Sequence, residues 1–362
     1  MDTRKEQGQD LAQGAMLGRV PDPAMISMDE VSGMAEPELE RSKRPATPLQ
    51  DSLRRLRRDK RAMVSLGILV FMVLIALIGP PIYQHIGGPY VNQITGQTVG
   101  PQSYHNYYYE NLADQDQGPS AQYWLGTDQL GRDILARLMQ GILVSIFVAL
   151  FVEVFDVVLG ISIGVLAGYY GGLIDQFLAR FTDIMLAFPG LLFIIMVAGI
   201  FGSSADSFFS HVPVIGPNGN ARLLLVGIVL GIVIWPFTAR LVRGQTLQLK
   251  EQQFVEAART SGTTNTRIIL RHIVPNLLSI VVVTATLNLS NTIVGEAGIS
   301  LLGLGVQPPG SSLGKMIADG AQNITSYPRE VIIPCIVLTL IVLCFCFLGD
   351  GMRDAFDPRS KD

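Results

Sequence analysis

Charge is scarce in this sequence. Only 16% of its 362 residues are Asp, Glu, Lys or Arg, 49% are hydrophobic, and the mean hydropathy is +0.37. Soluble domains carry about 25% charged residues, so an ordinary soluble fold is excluded and the membrane class comes first. Cysteine is scarcer still. Cys335, Cys344 and Cys346 all fall in one apolar run, which leaves neither a disulfide framework nor a tetrahedral zinc site. The four histidines, His85, His105, His211 and His272, are scattered without an HExxH pair, and a metal enzyme is not indicated. No Gly-x-Ser-x-Gly elbow supports nucleophilic hydrolysis. Gly305 to Gly310 begins like a phosphate loop, but Ser311 stands where the lysine is required, so no ATPase site is expected. The first 45 residues are polar, and no secretory signal peptide is expected.

What the chain has in quantity is long apolar runs. Stretches of about 20 apolar residues are long enough to cross a bilayer, and such runs lie at 62–82, 141–166, 183–202, 222–241, 276–296 and 331–349. Six spans place both termini on one side. Basic residues favour the cytoplasmic side; with the N-terminus inside, 22 of the 27 Lys and Arg residues fall inside and five outside. The run Arg54 to Arg61 directly precedes the first span, where the rule acts most strongly. Because a span follows at once, it is read as a membrane-surface segment and not as a nucleic-acid patch. Residues 1–49 read as a disordered cytoplasmic tail, 50–61 as a basic juxtamembrane segment, and 350–362 as a cytoplasmic C-terminal tail.

Residues 83–140 form an extracytoplasmic segment too long for a simple connection. It is dense in Tyr104, Tyr107, Tyr108, Tyr109, Tyr123 and Trp124. These aromatics suit either a headgroup-level belt or a small lobe that contacts a partner. Within the second span Gly160, Gly164 and Gly168 recur at one-turn spacing, a small-residue stripe that permits close helix approach in lipid. Pro189, Gly190 and Pro236 interrupt later spans, a pattern expected of a moving bundle around a pathway. Ionisable groups in a bilayer are costly and face a cavity or a partner. Glu153 and Asp156 in the second span, with Asn288, Asn291 and Glu296 in the fifth, are therefore the candidate pathway residues, with packing or subunit contact as the competing role.

The segment 243–275 is polar between two apolar runs. Glu251 to Ser261 has helix-forming composition, with Phe254, Ala257, Ala258 and Ser261 on one face. Gly262 suits a left-handed helix end; Thr263, Thr264 or Asn265 can cap a second short helix through Arg267 and Arg271; Pro275 marks the beginning of the fifth span. Such an element either lies on the membrane surface or docks a soluble partner.

Glu256-Ala257-Ala258, then Gly262, then Pro275 thirteen residues later, resembles the EAA loop of binding-protein-dependent ABC importer permeases. "LGTDQLGRD" (Leu125 to Asp133), "AGYYGG" (Ala167 to Gly172), "RHIVPN" (Arg271 to Asn276), "EAGISLLGLGVQPPGSSLG" (Glu296 to Gly314) and "LGDGMRDAFDPR" (Leu348 to Arg359) are similar to the C-type permease subunit of dipeptide, oligopeptide and nickel importers. The resemblance runs from about residue 50 to the C-terminus. It implies an all-α, six-span importer-permease fold in a prokaryotic inner membrane, with 141–349 as the five-helix core. It further implies that Glu256, Ala257, Ala258, Gly262 and Pro275 belong to a coupling loop docked on a cytoplasmic ATPase. The implied partners are a B-type permease, two ATP-binding subunits that hold ATP and Mg, and an extracytoplasmic solute-binding protein; no cofactor is expected in this chain. His272 and Val274 depart from the broader motif. Glu153 and Asp156 stand where relatives are mostly apolar, so no family role transfers to them. The competing functions are a stand-alone channel or a proton- or cation-coupled secondary transporter using the intramembrane acids, and a membrane enzyme, which lacks the necessary constellations.

Overall fold

A computed structural model describes residues 48–209 and 221–356. The expected N-terminal tail, His211 and residues 357–362 lie outside the described residues. The basic segment is a helix, α1 (Pro48–Leu56). Asp59 then caps α2 (Lys60–Tyr83), its carboxylate accepting from the backbone of Arg61 at 2.8 Å and Ala62 at 3.4 Å. A lobe follows, containing the hairpin β1 (Tyr90–Val91) and β2 (Thr98–Val99), the short helix α3 (Pro101–Tyr104) and a 3-10 turn at Leu112–Asp114.

Asp133 caps α4 (Ile134–Tyr170), accepting from Leu135 N at 2.8 Å and Ala136 N at 3.3 Å. This helix ends at Gly171 and Gly172, both at positive φ, where a side chain would be strained. α5 (Gly172–Ala187) and α6 (Gly190–Phe209) come next, bent by 77° at their junction. The span read at 183–202 is broken where Pro189 and Gly190 were expected to interrupt it, and its first part belongs to α5. Phe188 precedes a proline, which disfavours the helical region for that residue, and it is extended at φ −75°, ψ 132°. α6 is about 30 Å long, and it meets the length and hydropathy requirements of a span only together with α5.

α7 (Ala221–Leu249) leads to α8 (Gln253–Thr260) and then to α9 (Asn265–Ile268), which runs through a π turn at Ile269–Ile273 into α10 (Val274–Leu301). Pro275 stands in the first turn of α10, at the expected entry to the fifth span, and the helix is continuous with the turns before it, 37 residues from Asn265. The π turn makes this possible. Val274 N bonds back to Ile269 O, and the Asn276 side-chain amide donates to His272 O at 2.6 Å, absorbing the ladder fault next to the proline. α11 (Leu313–Ala321) and α12 (Arg329–Phe356) complete the chain, α12 extending helically through residues expected to be a tail. Five described helices are long and apolar enough to cross a membrane, six if the bent pair counts as one span. The all-α membrane architecture thus holds.

α4 is the axis of the bundle. It contributes Ile142 and Ile146 to an apolar cluster with α2, α10, α11 and α12, Val148 and Val152 to one with α6 and α7, and Val165 and Tyr169 to one with α7, α8 and α10. Its seam with α7 is built on glycine. A Cβ at Gly160 would lie 2.5 Å from Thr238 Cγ2, at Gly164 2.6 Å from Ala239 O, and at Gly168 2.7 Å from Thr246 Cβ. The arrangement is reciprocal, since Gly231 of α7 accepts the ring of Phe155, 2.6 Å from where its Cβ would be. Hydrocarbon tails are as apolar as leucine, so close packing of this kind is what holds helices together in lipid.

Replacing Gly164 with Leu overpacks this seam, where even extra methylenes cost about 1–3 kcal/mol. The detergent-solubilised protein should lose its monodisperse size-exclusion peak. Gly67→Leu is the control, because no atom lies within 4 Å of its Cβ position, and it should retain the peak.

Candidate functional site

The polar loop folds as α8 seated against the end of the bundle away from the lobe. Val255 is its anchor, fully buried among Val242, Ile268, Ile273 and Leu277. Ala258 packs at the edge of the same cluster, and Arg259 lies 6.0 Å from the Tyr169 ring centre. Tyr169 also ties α4 to the loop by donating its hydroxyl to Asn265 Oδ1 at 2.9 Å.

The helix closes with a Schellman motif. Gly262 sits at φ +74°, its N–H bonding to Arg259 O at 3.0 Å while Thr263 N bonds to Ala258 O at 3.1 Å. The expected small face divides in two. Ala258 turns toward the protein, whereas Phe254, Glu256, Ala257, Thr260 and Ser261 remain exposed. The fixed backbone and free outer face make α8 a rigid surface on which another protein can be received.

Of the five candidate intramembrane polar residues, Glu153, Asp156 and Asn288 meet at one place, and Glu296 belongs to a separate cluster. Glu296 is fully buried and accepts three hydroxyl hydrogen bonds, from Ser145 of α4 at 3.1 Å, Ser300 of α10 at 2.7 Å and Ser312 before α11 at 2.8 Å. Ser145 Oγ accepts in turn from Leu313 N at 3.3 Å. Glu296 is therefore a fastening point between three elements. Asn288 is half-buried and Asn291 exposed. Glu153 and Asp156 are buried on α4, where Thr238 of α7 donates to Asp156 Oδ2 at 2.8 Å.

The aromatic segment folds as a lobe with its own core. Tyr104, Tyr123 and His105 are buried, with the rings of Tyr104 and Tyr123 5.8 Å apart and Tyr83 of α2 3.8 Å from His105. His105 Nδ1 lies 2.7 Å from Asp133 Oδ2, so one carboxylate both caps α4 and holds the lobe. Tyr108 and Trp124 stay exposed.

Sequence reasoning missed the charge network beneath this lobe. Asp128 accepts from Arg132 Nε at 2.9 Å and from Arg137; Asp319 of α11 accepts from Arg132 at 3.2 Å and Arg137 at 2.9 Å, and pairs with Lys315 at 2.8 Å. The spacing Asp128–Arg132 hinted at a local pair, but nothing local announces Asp319. Burial opposes ionisation of Asp319, yet Arg137 and Lys315 outweigh it and hold the carboxyl below its ordinary value of 3.8.

Comparison with known proteins gives consistent similarities. The family described as binding-protein-dependent transport system inner membrane component matches residues 160–362, and the N-terminal TM domain of oligopeptide transport permease C matches residues 47–119. The chain is 35% identical over 315 residues to the dipeptide transport system permease protein DppC of Alkalihalophilus pseudofirmus, covering 87% of this chain and 91% of that one. It is 34% identical over 316 residues to the glutathione transport system permease protein GsiD of Escherichia coli, covering 87% and 92%. A solved inward-facing structure of the MetNI methionine ABC transporter aligns with 60% of this chain and 95% of that chain at 21% identity and a TM-score of 0.45.

Two outcomes are expected at these sites. Gly262→Val forces a β-branched residue into left-handed backbone, at a cost of about 1–2 kcal/mol or more; hydrogen exchange should rise across residues 253–262 while the bundle stays protected. For Asp319, a carboxyl depressed in the folded state contributes stability that is complete above its unfolded pKa and lost as pH falls through the folded value. Asp319→Asn should therefore lower the melting temperature at neutral pH, and the gap to the parent should close only below 3.8.

Proposed function

The chain belongs to the family of binding-protein-dependent transport inner-membrane components, the permeases of ABC importers, and from that premise we propose that its solute is a peptide in the dipeptide-to-oligopeptide class. The family assignment makes this a multi-pass membrane transport subunit, not an enzyme, of a kind that works with other permease, ATPase and binding-protein components. It does not favour a stand-alone channel or a cation-coupled transporter. The peptide reading draws its support from the two relatives, named for dipeptide and glutathione transport, each matched over nearly its whole length.

In this proposal a B-type permease completes the pathway, two cytoplasmic subunits bind ATP and Mg, and a solute-binding protein delivers cargo at the lobe. Both chain ends lie in the cytoplasm of a prokaryotic cell. α8 receives the ATPase, with Glu256, Ala257 and the exposed side of the helix at the contact, Ala258 and Gly262 fixing its seat, and Pro275 in the helix that carries the motion inward. The observation that carries this reading is the division of α8 into a buried anchor, Val255, and a free outer face. Tyr108 and Trp124, exposed on the lobe, supply aromatic anchors of the type common at protein contacts.

Ala257→Trp tests the docking role without disturbing the chain's own packing, because the Ala257 side chain is exposed. In the reconstituted importer, peptide uptake should fall by about tenfold or more, the factor that corresponds to about 1.4 kcal/mol of coupling. Expression and melting temperature should be unchanged. Undiminished peptide-stimulated ATP hydrolysis together with normal uptake would overturn the assignment.

A further inference from the structure

The Glu153–Asp156 pair lies in the interior of α4, remote from the loop and from the lobe. Glu153 is 6% exposed and Asp156 0%. Both carboxylate oxygens of Glu153 and Oδ1 of Asp156 are sealed from solvent and have no hydrogen-bond partner among the described residues. Asp156 Oδ2 is satisfied by Thr238 of α7, and the Asn288 side chain of α10 also bears on Asp156. The charged group that bears on Glu153 is Asp156 itself. No Lys, Arg or His among the described residues acts on either carboxyl from α4, α7 or α10.

Two chemical facts make this arrangement incomplete. An ionised carboxylate is acceptor-only, so three orphan acceptors here face one another with no donor between them. Buried polar groups are almost always hydrogen-bonded, and burying an unpaired charge is far costlier than neutralising it. One proton removes the confrontation of like charges, because a protonated Glu153 becomes a donor to Asp156, the carboxylate that Thr238 and Asn288 also serve.

We propose that the Glu153–Asp156 pair is a proton-binding site at the junction of α4, α7 and α10, with the proton held between the Glu153 carboxyl and the free Oδ1 of Asp156. The bound form is Glu153–OH donating to the Asp156 carboxylate; release breaks that O–H bond, sends the proton to water and leaves two like charges at the seam. The site lies one helical turn from Gly160, which is pressed against the same Thr238 that bonds Asp156. Water cannot reach either carboxyl in the packed state, so proton exchange requires α4 and α7 to separate. Exchange is thus a reporter of, and a constraint on, the movement of this seam.

The test uses the complete importer in lipid and reads protonated carboxyl directly, independently of which solute is carried. Infrared spectra of the parent minus Glu153→Gln, near neutral pH, should contain one protonated-carboxyl band. That band should shift in heavy water slowly at rest and several-fold faster during ATP turnover. Asp156→Asn preserves an acceptor for the Glu153 proton and should keep the band at a shifted frequency. Raising the pH from about 6 to about 9, a range in which ordinary carboxyls stay ionised, should lower the parent's melting temperature and leave Glu153→Gln flat, since its amide replaces the proton as donor. Identical parent and Glu153→Gln spectra, or equal pH dependence of their melting temperatures, would overturn the proposal.

Discussion

Everything in this bundle depends on how near α4 comes to α7. In lipid, two apolar helices gain little by hiding from their surroundings, and what remains is contact between backbones. The absence of side chains at Gly160, Gly164 and Gly168 creates that contact, and Phe155 meeting Gly231 interlocks it from the other side. Because α4 also supplies residues to all three apolar clusters, the seam sets the position of the remaining spans. About half of the most apolar window in each of these two helices is enclosed, against 28% or less in α2, α10 and α12. Those three leave a wide apolar perimeter for lipid or a second subunit.

Polarity is distributed around that axis with little waste. At one end the lobe buries a network of Asp128, Arg132, Arg137 and Asp319, joining α4 to α11 through opposite charges. At the other, α8 is held by Val255, by backbone hydrogen bonds and by Arg259 over the Tyr169 ring, while Phe254, Glu256 and Ala257 stay exposed. Between them Glu296 is surrounded by serine hydroxyls, one from each of the elements it joins. Among the described residues, Glu153 and Glu330 are the buried acids with both carboxylate oxygens lacking a hydrogen-bond partner; Glu330 has Arg329 at 4.0 Å, whereas the charged group beside Glu153 is Asp156.

Much of this was legible in the chain itself. Hydropathy located the helices because every backbone group in hydrocarbon must be bonded within its own segment, and the glycine stripe announced a close helix approach, though not that α7 makes it. The helix–glycine pattern at Phe254 to Gly262 reappears as a helix with a left-handed close. Hydropathy has no direction, however. The apolar run at 183–202 continues through Phe188 and Pro189 without marking the turn of 77° between α5 and α6. Pro275 marked the entry to the fifth span, but the π turn, five residues long, that joins the helix to the turns before it has no compositional mark. Asn288, Asn291 and Glu296 looked like one group since they share a helix, but their burial differs completely. Long-range pairs such as Arg137 with Asp319 are a property of the folded topology, and no window along the sequence contains both.

The uninterrupted helix from Asn265 to Leu301 also has a mechanical meaning. At about 1.5 Å per residue its 37 residues form a rod about 55 Å long, running from the loop that receives α8 to the opposite end of the bundle. Tilting such a rod by about 5° about one end displaces the other by about 5 Å, close to one helical turn. Glu296 rides near that far end, clamped to two other elements. Under the proposed coupling, a push at the loop works on a lever whose distant arm is fastened to its neighbours through Glu296.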